Sequence, residues 1–467
     1  MHSPRQRGNH PGSMGADGAG DQLPGGNRPH PGGGEGVSME PWKPLSFKEF
    51  DALEKEPLDR KVERAVAVIR EAVSLSKHQT AVAFSGGKDS TVLLHLMTRH
   101  FPELRPWVIF ANTGIEYPES LRFARQMGKE LAGERYVEAL PDKLEEDGLK
   151  YQAQKEVLEW LVQAGRVSEV LKEDGKLKST RTLELAATPE MWEDFRRRNL
   201  VWRKGMRKSF WWCCDQYGFP LLGKSKSKLD ARRINIDCFL RFSASESESP
   251  ELLEYYRLLR NVKISQHCCK ELKKAPSERA QAEHDVDVIF KGLMGTESRT
   301  RKISFVTRGY IIQSHREHLP PTDPFWHVSP MATWTDADVW AYIKAYQVPY
   351  SPLYDMGYKD SRGTEHRIAR NGCMGCATGI AFADNSIAML RRTHPKAWEA
   401  VMRAGMAEQL RTLRQFRADG SMSLLDLMPV EDVMEMRPCA FDTVSRLTLA
   451  DDTFREYDAD AWEDEEA

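Results

Sequence analysis

Two groups of residues in this chain have types and spacings that could do chemistry. The first is Ser85-Gly86-Gly87-Lys88-Asp89-Ser90. It follows an apolar run at 80–84 and precedes 91–99, where Val92, Leu93 and Leu96 share one helical face. A strand, a glycine turn and a helix, in that order, is what phosphate binding needs. The two glycines let the main chain turn sharply and bring N–H groups toward an anion. The helix adds its positive end. Lys88 supplies a point charge, and Ser85 and Ser90 supply hydroxyl donors. The spacing is not that of the Walker loop, whose glycines stand further apart. A Ser-Gly-Gly turn alone is a common link from strand to helix. With Lys-Asp-Ser attached, the reading as a phosphate loop is the stronger one.

The second group is made of thiols. Cys268-Cys269 is followed about a hundred residues later by Cys373-Met374-Gly375-Cys376. A C-x-x-C turn lets two thiolates point at one metal centre, and Gly375 eases that turn. Four thiolates from two segments suit zinc or an iron–sulfur cluster, although adjacent cysteines fit one tetrahedral zinc poorly. Cys213-Cys214, after Trp211 and Trp212, is a second adjacent pair and ranks lower, with apolar packing as its plainer role. Cys238 carries no motif.

The elements that must position these groups can be read from the apolar pattern. Strands are expected at 80–84, 107–110, 134–139, 286–290 and 310–313. Helices are expected at 62–76, at 91–99, from Pro118 to about Leu131, and after Thr335, which has Asp338 placed for a capping box. Strands alternating with helices argue for an α/β fold. The specific form is a Rossmann-like, doubly wound parallel sheet with its ligand at the carboxyl edge, a helical insert and a helical C-terminal region. The expected units are a disordered segment 1–40, the first part of the nucleotide domain 41–140, and a basic insert 141–260. The rest of that domain follows at 261–385 with the cysteines, then a helical region 386–450 and an acidic tail 451–467. Within the insert, residues 191–233 carry a net charge of +8, interleaved with Trp192, Phe195, Trp202, Phe210, Trp211 and Trp212. That pattern suits nucleic acid, but a solvated helical insert with a small aromatic core is the stronger reading.

Composition excludes other classes. A formal net charge of -2 over 467 residues is not that of a polycation built on nucleic acid. The chain contains no apolar run long enough to span a bilayer, and it opens without the apolar stretch of a secretory signal. A cytoplasmic protein is expected. In a reducing compartment, its eight cysteines argue against a disulfide framework.

The loop at 85–90 resembles the pyrophosphatase-type (PP) loop of the adenine nucleotide α-hydrolase superfamily. Asn112-Thr113-Gly114-Ile115-Glu116-Tyr117-Pro118-Glu119 resembles the segment that borders the nucleotide pocket in its sulfonucleotide branch, the phosphoadenosine phosphosulfate (PAPS) reductase-like family. Gly295-Thr296-Glu297-Ser298-Arg299-Thr300-Arg301 resembles the loop that grips the nucleotide's anionic groups there, with a different Gly/Arg order. Segments 329–335 and 348–354 resemble a further stretch of that family. The resemblance covers about 80–140 and 260–385, leaving out the basic insert and both ends.

The resemblance implies an adenine nucleotide (ATP, adenylyl sulfate (APS) or PAPS) held by Ser85, Gly86, Gly87, Lys88, Asp89, Ser90, Asn112, Thr113, Gly114, Glu116, Gly295, Arg299 and Arg301. It implies a [4Fe–4S] cluster on Cys268, Cys269, Cys373 and Cys376, and Mg2+ accompanying ATP. Lys88 and Arg299 would stabilise developing negative charge. The family's nucleophilic cysteine lies near the C-terminus in a Glu-Cys-Gly-x-His context, which this chain lacks; its one late cysteine is Cys439. With Cys439 as nucleophile the reaction is reduction of sulfonucleotide to sulfite, with thioredoxin or glutaredoxin as electron donor. Without it, the expected reaction is cleavage of ATP to AMP and pyrophosphate to activate or thiolate tRNA or DNA. A non-catalytic nucleotide or cluster sensor is the third reading. The sequence leaves the oligomeric state open.

Overall fold

The computed structural model describes residues 45–173, 177–220, 265–314, 324–359, 365–376 and 386–407. The expected disordered segment 1–40, the acidic tail, most of the 386–450 region, Cys238 and Cys439 lie outside the described residues.

The chain enters through α1 (Phe47–Glu54), closed by a Ser46/Glu49 capping box, and α2 (Leu58–Leu75). On α2, Val62, Ala65 and Ile69 of the expected apolar face are buried together with Val68 and Ala72, while Val66 and Val73, also expected there, are half-buried at its margin. β1 (Gln79–Phe84) follows and leads through the glycine turn into α3 (Lys88–His100). This helix begins at Lys88, three residues earlier than the apolar face alone indicates. β2 (Trp107–Ala111), α4 (Pro118–Ala132) and β3 (Tyr136–Ala139) complete the first half. Pro118 stands at the first helical position of α4, where a missing N–H costs nothing.

The insert builds a small helical unit: α5 (Tyr151–Gln163), α6 (Thr180–Ala186), α7 (Pro189–Arg197) and α8 (Phe210–Tyr217). Its core is its own, with Leu149, Val157, Leu161, Leu183 and Phe195 buried together. Of the interleaved aromatics, Phe195 is buried in this core, whereas Phe210 is buried in a separate cluster with Ile115, Cys213 and Met374. Several of the basic side chains are paired, Arg197 with Asp194 at 2.6 Å and Arg198 with Glu156 at 2.6 Å.

The second half of the sheet follows a helical turn at His267–Cys269, a π-helical turn at Lys270–Lys274 and α9 (Ala275–Glu283). β4 (Val286–Lys291) is buried along almost its whole length. α10 (Arg299–Arg308), β5 (Ile311–Ser314), β6 (Phe325–Val328) and α11 (Asp336–Tyr346) come next, then α12 (Ser386–Thr393) and α13 (Pro395–Val401).

The central sheet has the order β3-β2-β1-β4-β6-β5. β1 pairs in parallel with both β2 and β4, Val82 lying opposite Val108 on one side and Phe290 on the other. Strands covered on both faces read as continuous apolar runs, which is why β1 and β4 were legible. The edge strand β5 runs antiparallel to β6 and so departs from an all-parallel sheet. β6 itself was not anticipated: Phe325-Trp326-His327-Val328 is short and lacks a clean alternation. The chain winds outward from β1 through β2 to β3, then returns to place β4 on the other side of β1. This reversal opens a crevice at the carboxyl ends of β1 and β4, the place where open α/β sheets hold ligands.

The main core lies between the sheet and α2, α3 and α11, with Leu93, Leu96, Phe290, Trp334 and Tyr342 buried. Each such side chain contributes roughly 1.5–3 kcal/mol of burial energy. An ion pair crosses it: Lys61 Nζ lies 2.5 Å from Asp338 Oδ2, and Asp338 also closes the predicted capping box on Thr335. Among the described residues, no helix is long and apolar enough to cross a membrane.

Candidate functional site

At the carboxyl end of β1 the chain turns at Gly86, whose φ is +66°. A Cβ there would come within 2.7 Å of Ala124 Cβ on α4, so the turn needs glycine both for conformation and for space. The two serines hold the loop in shape. Ser85 Oγ and Ser90 Oγ are 3.1 Å apart, Ser90 Oγ donates to the Gly87 carbonyl over 2.9 Å, and the Gly87 N–H donates to Ser85 Oγ over 3.2 Å. Gly87 is the N-cap of α3 and has no side chain with which to cap it, so the helix start turns its N–H groups toward the crevice.

Lys88 is buried, and its charge is already engaged. Its Nζ lies 2.8 Å from Asp336 Oδ1 and 3.2 Å from Asp89 Oδ1. Burial alone would lower its pKa, but Asp89, Tyr354 and Asp336 outweigh that and raise it. The Asp89 carboxyl is pushed up by burial, against the pull of Lys88 and Arg370. Tyr354 closes the loop from above: its hydroxyl accepts from the Lys88 N–H over 3.1 Å, and the Lys88 ammonium stands 5.5 Å from its ring centroid.

The segment after β2 is organised by its own polar side chains. Asn112 Oδ1 accepts from the Gly114 N–H over 2.8 Å, and Asn112 Nδ2 donates to Glu138 Oε1 over 2.7 Å. The Glu116 carboxylate accepts from the N–H and hydroxyl of Thr113, at 3.0 and 2.7 Å. Burial nonetheless raises the Glu116 pKa.

This segment lies directly against the C-x-x-C turn. Glu116 and Cys373 form an isolated antiparallel bridge, and the Met374 N–H donates to the Ile115 carbonyl over 2.8 Å. The Thr113 hydroxyl lies 3.5 Å from Cys373 Sγ. The turn itself is closed by the Cys376 N–H donating to the Cys373 carbonyl over 3.1 Å. Gly375 is needed for a different reason from the one expected. A Cβ there would come within 2.5 Å of the Phe210 ring, so α8 of the insert packs on the turn too closely for any side chain.

The remaining thiols approach from the helical turn at Cys268. The Cys268 thiol is pushed far up by its hydrogen bond with Cys269, then by burial and by the nearness of Cys213 and Cys373. Burial pushes Cys373 up to about 12, with Glu116 and Cys376 adding to it and Lys273 opposing. Cys268 thus feels the charges of Cys269 and Cys373, and Cys373 that of Cys376. The buried Cys213 also feels Cys269, a proximity that nothing in its local sequence reveals. Among the described residues, no three His, Cys, Asp or Glu side chains are set around a common point that could hold a metal ion.

The loop after β4 supplies the far side of the crevice. A Cβ on Gly292 would come within 2.8 Å of the Asp89 carbonyl, so the two loops touch. Gly295 is buried against Phe50, and its N–H donates to the Ala332 carbonyl over 2.8 Å. Glu297 Oε1 accepts from the Met294 N–H over 3.0 Å, and its Oε2 pairs with Arg301. The Arg301 pKa is lowered by burial and then by the charge of Arg370, with Asp89 opposing. Arg299 stands exposed at the start of α10, with Ser298 as the N-cap behind it.

Four residues at this crevice were not singled out in the sequence: Asp336, Tyr354, Arg370 and Asn371. Tyr354 lies in a segment read for resemblance alone. Asp336 and Arg370 are ordinary surface charges until the chain folds.

A family model described as the phosphoadenosine phosphosulfate reductase domain matches residues 79–189 and 200–377. It therefore runs on through most of the insert, which the motif resemblance had left out. An adenosine 5'-phosphosulfate reductase of Burkholderia cepacia is 31% identical over 126 residues, 27% of this chain and 42% of that protein. A phosphoadenosine 5'-phosphosulfate reductase of Xylella fastidiosa is 37% identical over 86 residues, 18% of this chain and 31% of that protein. The chain thus matches less than half the length of these curated relatives. The crystal structure of phosphoadenylyl-sulfate (PAPS) reductase from Candida auris, a phosphate complex, aligns over 68% of this chain and 94% of that one. Its sequence identity is 15% and the TM-score is 0.30. With the family model spanning both halves of the sheet, the phosphate-type loop and the C-x-x-C turn, the chain belongs to the phosphoadenosine phosphosulfate reductase domain family.

Proposed function

We propose that this chain is a sulfonucleotide reductase-like enzyme. It binds an adenine nucleotide in the crevice between β1 and β4, with the loop at 85–90 around the phosphates. The observation that carries this reading is the junction of two features. A glycine turn that opens a helix stands at the sheet's topological switch. The segment after β2, at the same sheet edge, is hydrogen-bonded to the C-x-x-C turn. The candidate anion loop and the thiol turn would thereby meet at the exits of two neighbouring strands, β1 and β2.

The chain's own residues would act mainly through electrostatics. The α3 N-terminus and Lys88 would favour negative charge building up on the departing nucleotide, with Arg301 on the opposite wall. Lys88 must exchange part of its pairing with Asp89 and Asp336 for the ligand's oxygens, so those carboxylates would hold it in position before binding. By residue type, the thiols of Cys268, Cys269, Cys373 and Cys376 would be the donors of a [4Fe–4S] cluster, which would supply fixed charge beside the crevice once they gather around one point. Lys273 would offset the negative charge of such a centre from the protein side.

In the reductive reaction a thiolate attacks the sulfonucleotide sulfur. The S–O bond to the nucleotide breaks, the nucleotide leaves, and the thiol carries the sulfonate. A dithiol reductant of the thioredoxin or glutaredoxin kind then attacks that thiol sulfur, is oxidised to a disulfide and releases sulfite. Cys439 is the attacking thiol in this reading. Anaerobically purified protein supplied with APS or PAPS and a dithiol reductant should release sulfite, and Cys439→Ser should stop release while keeping nucleotide affinity. Absence of sulfite from both nucleotides, with AMP and pyrophosphate appearing from ATP instead, would replace reduction by ATP cleavage.

A further inference from the structure

Residues 365–376 do more than deliver the C-x-x-C turn. They begin in a two-stranded ladder in which Glu365 lies opposite Lys359 and end at Cys376. Between ladder and turn stand Arg370 and Asn371. Asn371 Nδ2 donates to the Ser85 carbonyl over 2.9 Å. Arg370 Nη2 donates to the Glu297 carbonyl over 3.2 Å. One dipeptide therefore reaches both loops that leave the crevice, the phosphate-type loop after β1 and the Gly/Arg loop after β4. Asn371 also backs the glycine turn, since a Cβ on Gly87 would stand 3.5 Å from Asn371 Cβ and 3.2 Å from the Tyr354 hydroxyl.

The charges around this dipeptide are arranged for an anion. Arg301 and Arg370 both engage Glu297, one at its carboxylate and the other at its carbonyl. The two guanidiniums are close enough for Arg370 to depress the Arg301 pKa, and the charge of Arg370 also reaches Asp89. Like charges held this near one another are relieved by a counter-ion between them. Arg370 is exposed, and a guanidinium has donors to spare beyond the one taken by a carbonyl. Arg forks match the oxygens of phosphate and sulfate. Arg299 is exposed at the helix start.

We propose that Arg370 reads the anionic group beyond the α-phosphate of the bound nucleotide, while Asn371 fixes the height of the Ser85 turn beneath it. The ligand chemistry is a tetrahedral oxyanion, the β-phosphate of ATP or the sulfate of APS. This inference rests on the adenine-nucleotide reading above.

The test is calorimetric titration of the wild type, Arg370→Ala, Arg370→Lys and Asn371→Ala with ATP, APS, AMP and inorganic pyrophosphate. Thermal melts check that each variant folds. Arg370→Ala should weaken ATP or APS about tenfold or more, in the range of a lost charge-assisted pair, and leave AMP within about twofold. The nucleotide that suffers more identifies the group that is read. Arg370→Lys should fall between, keeping the charge and losing the fork. Asn371→Ala should weaken all three nucleotides alike, AMP included. Equal losses for AMP, ATP and APS on Arg370→Ala, or none, would overturn the assignment. Pyrophosphate separates the two ideas. If the wild type binds pyrophosphate in an Arg370-dependent way but binds no adenine nucleotide, the nucleotide reading fails and the anion site stands. If it binds neither, both fall.

Discussion

The main chain of Glu116 pairs with that of Cys373, although 257 positions separate them in the sequence. Through this bridge the segment at the exit of β2 and the thiol turn share one piece of backbone. Whatever loosens the turn should therefore be felt at the crevice.

Removing the turn's thiols should abolish metal binding. Protein prepared without oxygen should carry about four irons per chain and show the visible charge-transfer absorbance of thiolate-bound iron. Cys373→Ser and Cys376→Ser should each lose that absorbance. Cys213→Ser should keep it, with a lower melting temperature, because Cys213 is wholly buried. Stoichiometric zinc in place of iron would contradict the cluster.

Lys88→Ala should reduce ATP affinity by about a hundredfold, the scale of a lost charge-assisted contact in a shielded site. It should also cost about 1 kcal/mol of stability, since the half-buried Asp89 loses its nearest cation. Calorimetry and urea unfolding measure the two separately. Wild-type affinity in a folded variant would move the phosphate site elsewhere.

Gly86→Val is not a neutral probe of that loop. The added Cβ meets Ala124, and the positive φ penalises any β-branched residue. A loss of about 1–3 kcal/mol is expected from overpacking and strain together. Gly87→Ala is the milder change, with its nearest new contact at 3.1 Å and no positive φ. It should lower nucleotide affinity with little effect on the urea midpoint.

Gly375→Ala should destabilise the protein by about 1–3 kcal/mol, because its Cβ would overlap the Phe210 ring. Placing the change in a Phe210→Leu background should recover part of that loss. A double-mutant cycle in urea reads the coupling. Additive effects would show that the ring does not set the turn's need for glycine.

His327 gives a pH signature. Burial, helped by the charges of Lys291 and Arg308, lowers its pKa to about 3. The unfolded chain therefore takes up a proton near pH 6.5, where the folded chain does not. Stability from this residue is complete above pH 6.5 and is lost as pH falls toward 3, by up to about 2 kcal/mol between pH 6.5 and 5. His327→Phe should flatten that part of the pH–stability curve. An unchanged slope would place the titration on other groups.

The local chemistry was legible because it is written in short stretches. β1, its glycine turn, the Thr335/Asp338 capping box and the C-x-x-C turn each depend on residues a few positions apart, so spacing alone identifies them. The amphipathic stripe of α2 is of the same kind. The sheet order, the antiparallel edge strand and the short β6 depend on pairings between distant segments, which leave no periodic trace in four residues. The same limit applies to side chains. Asp336 reaches Lys88, Arg370 reaches Glu297, Asn371 reaches Ser85 and Phe210 closes on Gly375 only after folding. Which of the insert's aromatics pack, and on what, likewise emerges only on folding: Phe195 is buried within the insert and Phe210 against Ile115 and Met374. The sequence by itself determined which groups could bind an anion and which thiols could gather. Tertiary structure decided which of them face one crevice, because that depends on where the chain crosses back beside β1.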